Sequence, residues 1–145
     1  MSRARLLGSL DIPGTAAAPA HARSYLRTIL DPTMHALDAI ADVTLLTSEL
    51  VTNAVVHTAS GDGGKVTVSV MEFPGGGILV QVADEGGPTR PTPRAPDDEF
   101  DLHGRGLRLV DALAVTWGHQ RDGVGTTTWF MVDAGEVRAE RRDAS

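Results

Sequence analysis

The chain has 145 residues, 41% of them hydrophobic, and a formal net charge of -6 from 13 basic and 19 acidic side chains. This size and apolar fraction match a single globular domain over residues 1–145 with its own core, and the acidic balance argues against a nucleic-acid binder, whose affinity comes from clustered Lys and Arg. With no cysteine there are no disulfides or thiolate metal sites. The basic start MSRARLLGSL has an apolar part too short for a signal peptide. No stretch is read as the roughly 18 to 20 apolar residues of a membrane span, so the expected compartment is the cytoplasm, without membrane contact.

In chain order, residues 18 to 30 hold Ala22, Leu26, Ile29 and Leu30 at helical spacing, with Pro19 suited to a first turn and Asp31-Pro32 as a stop. A second helix is expected from about Met34 or Asp38 to His57, with Ile40, Val43, Leu46, Leu50 and Ala54 as its buried stripe. Val66, Val68 and Val70 alternate, Pro74 to Gly77 supply a turn, and Ile78, Val80 and Val82 alternate again, which reads as a hairpin. After Asp84 the pattern breaks for roughly twenty residues that include Pro88, Pro91, Pro93 and Pro96. That is longer than an idle loop, and a lid or binding loop is expected there. Gly104-Arg105-Gly106 opens a short helix with Leu107, Leu109, Val110 and Leu113, and residues 114 to 120 and 124 to 132 form a second hairpin. The order α, α, β, β, α, β, β implies an α+β, two-layer sandwich: a mixed, mostly antiparallel sheet with helices on one face.

Four stretches have residue types suited to chemistry. In ELVTNAVVH, Glu49 and Asn53 stand at i and i+4 and share a helix face. A carboxylate beside a carboxamide oxygen suits a Mg ion that also holds phosphates, or the Glu accepts a proton from a nucleophile; the same pair also suits a solvated helix face. Asp84-Glu85-Gly86-Gly87 places an acid at a strand end where glycines allow close approach, fit for an exocyclic amine or for a simple turn. His103-Gly104-Arg105-Gly106-Leu107 puts glycines at a helix start, where free N–H groups favour phosphate, with Arg105 either neutralising charge or solvated. In Gly125-Thr126-Thr127-Thr128, alternation puts Thr126 and Thr128 on one strand face. Lys65 in GDGGK lacks the spacing of a P-loop, and His57, His103 and His119 share no metal spacing.

Taken in order, ELVTNAVVH, VADEGG, HGRGLRLV and GTTTWF resemble the N, G1, G2 and G3 boxes of the GHKL ATPase superfamily. Length and the wording of the first box are most similar to stand-alone anti-sigma-factor serine/threonine kinases of the RsbW and SpoIIAB type, over roughly residues 15 to 133. The resemblance implies a Bergerat ATP-binding fold, Asn53 as Mg2+ ligand and Glu49 as the catalytic base. It also implies Asp84 and nearby Gly86 at the adenine, and Thr126 supporting that end of the pocket. Gly104, Arg105, Gly106 and Leu107 would lie at the phosphates, with residues 88 to 103 as the lid. The implied partners are a sigma factor or an anti-anti-sigma protein, with homodimerisation also implied. The family's D-x-G-x-G reads here as Asp84, Gly86 and then Pro88, which keeps the adenine contact and stiffens the lid hinge. An ATP-binding module that binds protein partners without phosphotransfer is the alternative. A detached histidine-kinase catalytic domain shares the boxes, but His21 has no acceptor context in its helix.

Overall fold

The computed structural model describes residues 4–57, 64–85, 109–110, 112–121 and 125–133. Its elements are β1 (Arg5–Pro13), α1 (Ala18–Ile29), α2 (Leu37–His57), β2 (Lys65–Glu72), β3 (Gly77–Asp84), β4 (Thr116–Arg121) and β5 (Thr126–Asp133). The strands make one five-stranded sheet in the order β1-β2-β3-β5-β4, and every described pairing is antiparallel. Alternation along the strands sends Val66, Val68 and Val70 of β2, Ile78, Val80 and Val82 of β3, and Phe130 and Val132 of β5 into one core with α1 and α2. The fold is therefore the expected α+β sandwich, with the helices on one sheet face.

The main departure is at the amino end, where the sequence reading began with a helix and the chain instead begins with β1. Residues 8 to 13 of β1 pair with residues 65 to 70 of β2 and bury Ile12. The pairing shifts between Leu6 and Gly8, and this bulge breaks the two-residue period that would have announced the strand. The sheet thus starts ahead of residue 15, the first residue that the resemblance covers.

The helices follow their apolar spacing. Ala18, Ala22 and Leu26 of α1 are fully buried at four-residue steps. The helix ends at Ile29 because Leu30 turns extended, its N–H still reaching the Leu26 carbonyl at 2.9 Å. Asp31 then fastens the connection by accepting from the Thr33 N–H at 2.9 Å and the Thr33 hydroxyl at 2.7 Å, bonds that hold its carboxyl below the ordinary range. His35, 3% exposed in the same connection, lies 2.9 Å from Glu72 through Nε2. The Arg5 guanidinium donates to the other Glu72 oxygen at 2.7 Å, so one carboxylate ties the start of β1, the end of β2 and the α1–α2 connection.

Both hairpins are present. Between β2 and β3 the Phe73 N–H donates to the Gly77 carbonyl and the Gly76 N–H to the Phe73 carbonyl, each at 2.8 Å. Gly76 has φ of 100°, which a side chain would strain, so glycine is needed there. The second hairpin runs one or two residues later than expected. Residues 109–110 and 112–113 are helical, as expected, with Val110 buried in the core.

Against expectation, Leu37–Val56 of α2 is long and apolar enough to span a membrane by length and composition alone, with mean hydropathy 1.4. Its packing on the sheet accounts for only part of that, since 44% of the window is buried. The Asp42 carboxyl on this helix is pushed up, first by burial and then by the neighbouring Asp38 charge. A raised carboxyl favours folding while protonated, and that contribution is lost as the pH rises through its folded-state value; ionised Asp42 therefore opposes folding at neutral pH. Asp42→Asn is expected to raise the melting temperature at pH 7, with the gain shrinking as the pH falls through the raised folded-state value toward 3.8 and gone below it. Thermal unfolding at several pH values checks both parts.

Candidate functional site

The rotation of α2 about its axis sets the first half of the site. Val43, Leu46, Leu50 and Ala54 are buried at three- and four-residue steps, and Glu49 and Asn53 consequently fall on the flank of the helix, both half-buried. The side-chain nitrogen of Asn53 is buried and has no hydrogen-bond partner. Such a group costs about 1–3 kcal/mol when left unsatisfied, and a half-turn of the amide exchanges its nitrogen and oxygen. The carboxamide is thus positioned to meet a partner from outside the described residues. A hard cation fits the donor set of Asn53 and Glu49 oxygens. Among the described residues no three His, Asp or Glu side chains converge, so such a cation would complete its shell from water and phosphate oxygens.

Sheet register sets the second half. Asp84, the last residue of β3, stands opposite Val66, and directly opposed residues share a face, so its carboxylate lies on the helix side of the sheet. The Thr126 N–H at the start of β5 donates to Asp84 Oδ1 at 3.1 Å. Thr128 stands opposite Val82, placing Thr126 and Thr128 on this same face. Glu85, the next acid, has a different duty: its Oε1 accepts from the Lys65 N–H at 3.1 Å and secures the start of β2. Lys65 in turn reaches Asp11 at 3.2 Å, and the Thr67 hydroxyl donates to the same carboxylate at 2.7 Å.

Glu49 with Asn53, and Asp84 with Thr126, are therefore brought together as two pairs. Gly86, Gly104, Arg105, Gly106 and Leu107 lie outside the described residues, as does the expected lid at 88 to 103. One residue that sequence reasoning left without a role is Gly125. A Cβ there would collide with the backbone of Asp84 and Glu85, so the absence of a side chain lets β5 begin against the end of β3. The only signal was the glycine heading the GTTT run, since the contact joins residues far apart in sequence.

The family model of the histidine kinase-like ATPase domain matches residues 12–132. The chain belongs to this family. As a GHKL-type domain it has a fold made to bind ATP, and the two pairs lie on elements of that fold. Among solved structures it is similar to the RsbU and RsbW domains of Rv1364c from Mycobacterium tuberculosis, with TM-score 0.66 and 24% identity, over 88% of this chain. The chain spans 32% of the length of that structure. It is also similar to the SiaB-SiaC complex from Pseudomonas aeruginosa, with TM-score 0.53 and 13% identity, over 88% of this chain and 90% of that one. At these identities the likeness is one of fold. A search of the curated proteins gives no match.

Gly125→Ala is expected to lower stability by about 1–3 kcal/mol, the usual range for overpacking against atoms that cannot retreat. It should also weaken ATP binding, because the β5 start that bonds Asp84 must move. Urea unfolding and titration calorimetry measure the two effects; unchanged values for both would show that the β5 start is not held at this point.

Proposed function

We propose that this histidine kinase-like ATPase domain binds Mg-ATP and phosphorylates a serine or threonine of an anti-anti-sigma protein, acting as an anti-sigma regulatory factor of the RsbW type. The observation that carries this reading is Asn53, half-buried with its amide nitrogen shielded and without a partner, set one turn from Glu49 on the flank of α2. The relatives support the setting, because one includes an RsbW domain and the other is a complex of two proteins. The unit that acts comprises about residues 15–133, extended by β1, and the reading requires a compartment that supplies ATP and sigma factors, the cytoplasm.

In this reading Asn53 would hold a Mg ion, which would supply positive charge to the phosphates. Asp84, kept in place by the Thr126 N–H, receives the adenine amine. The same reading assigns Gly86 to the adenine end and Gly104, Arg105, Gly106 and Leu107 to the phosphates, where backbone N–H groups would accommodate negative charge. Glu49 takes the proton from the acceptor hydroxyl as its oxygen bonds to the γ-phosphorus, while the bond to the bridging oxygen breaks and ADP leaves. Such transfer depends mainly on positioning and charge neutralisation, with base assistance contributing less. Gly87-Pro88 at the hinge of the expected lid, with the acidic, Pro-rich lid sequence after it, favours the second reading, a nucleotide-gated partner-binding module without transfer.

The test combines the chain with radiolabelled Mg-ATP and, one at a time, the anti-anti-sigma proteins of the source genome. A phosphoprotein is expected with at least one of them. Asn53→Ala should lose Mg-dependent ATP binding by tenfold or more, whereas Glu49→Gln should keep ATP binding and lose transfer by about 100-fold, the scale of general-base assistance. Full transfer in Glu49→Gln would remove the base assignment, and partner binding with no phosphoprotein would establish the module instead.

A further inference from the structure

The solvent side of α2 carries more apolar surface than a helix with one buried face needs. At about 100° per residue, Ala41, Leu45, Thr52 and Val56 fall within about 60° of one another on the side turned away from the sheet. All four are exposed, Leu45 by 41% and Val56 by 63%. This stripe runs directly beside Glu49: Leu45 is one turn before it, Thr52 one turn after and Val56 two. On the Glu49 side the stripe is bordered by Asp38 and Asp42, and α2 contains no Lys or Arg of its own. The Asp42 carboxyl is raised first by burial, with the Asp38 charge on the same border adding to it.

We propose that Leu45, Thr52 and Val56, with Ala41, form the surface on which the phosphoacceptor protein docks, and that its docking segment is an apolar helix flanked by Lys or Arg. The apolar row accepts side chains at i, i+4 and i+7 spacing, as helix-in-groove recognition does. The acidic border attracts the cationic flank, which fixes the segment's orientation on the row. A second copy of this chain would bring the same acids and no Lys or Arg on its α2 to offset them, and an anionic lipid surface would be repelled by the same groups. The identity of the docking protein as phosphoacceptor rests on the phosphotransfer reading; the surface itself rests on exposure, spacing and charge.

The chain has no cysteine, so a single introduced thiol can carry an environment-sensitive dye. Leu45→Cys labelled with acrylodan is titrated with a synthetic helical peptide bearing Leu at i, i+4, i+7 and i+11 between Lys flanks, and with its Glu-flanked twin. A saturable blue shift is expected with the Lys peptide, at least tenfold weaker with the Glu peptide, and absent for a dye on Gln81→Cys of β3. Adding Val56→Glu to the labelled chain should abolish the shift while ATP binding, measured separately, stays intact. Equal response to both peptides, a response at Gln81→Cys, or no response at Leu45→Cys overturns the surface. Transfer assays separate the two ideas: peptide docking without phosphate transfer to any anti-anti-sigma protein defeats the kinase reading alone, whereas undiminished transfer in Val56→Glu defeats the docking surface alone.

Discussion

The rotation of α2 is fixed by a competition between apolar and polar side chains that has one good solution. Val43, Leu46, Leu50 and Ala54 gain from leaving water, at roughly 25 cal/mol per Å2 of apolar surface removed. A rotation of the helix by one residue, about 100°, would drive Glu49 or Asn53 toward the sheet or strand the leucines in water. An unpaired carboxylate in the core costs several kcal/mol. The apolar stripe and the polar pair therefore set each other's position. The hydroxyls of Thr44 and Thr52 donate back to the Ile40 and Ser48 carbonyls at 2.7 and 2.8 Å, so two further polar groups are satisfied within the helix itself.

At the sheet end of the site the corresponding constraint is register. Side chains alternate with a period of two, so a slip of β3 by one residue against β2 would turn Asp84 to the outer face and bring Glu85 in. Ile78, Val80 and Val82 resist that slip, because all three are buried on the core face of β3 and would lose their burial together. The Thr126 bond to Asp84 then joins residues 42 apart in sequence. Core packing far from the site thus decides which of two adjacent acids faces it.

This difference in range explains what the amino-acid sequence makes legible. Glu49 and Asn53 are a local pair, and helical spacing alone puts them on one face. The alternating valines of β2 and β3 are equally plain, as is the Pro74 to Gly77 turn. β1 was hidden because it is an edge strand with a bulge and because Arg5, Ser9 and Asp11 keep it polar; Leu10 and Ile12 alone make too short a period. Asp84 continues the alternation of Ile78, Val80 and Val82, so its inward face was legible; the bond of Glu85 to the Lys65 N–H was not, since it joins residues far apart in sequence. Gly125 was hidden for the same reason: what excludes a side chain there is the backbone of another strand.

The wheel of α2 also gives a physical ground for dividing labour between its two polar residues. Four residues turn the helix by about 400°, so Asn53 stands about 40° nearer the buried stripe than Glu49 does. Asn53 therefore leans toward the interior, where its amide nitrogen is shielded from water and has no partner. Glu49 leans toward the exposed row of Leu45 and Val56, the side from which a second macromolecule can approach. A ligand held between helix and sheet meets Asn53 first, and a protein arriving from solvent meets Glu49 first. In the proposed phosphotransfer, one helix forms the boundary between the two approaches, so a group bound on the inner side would pass to an acceptor on the outer side across the width of a single carboxylate.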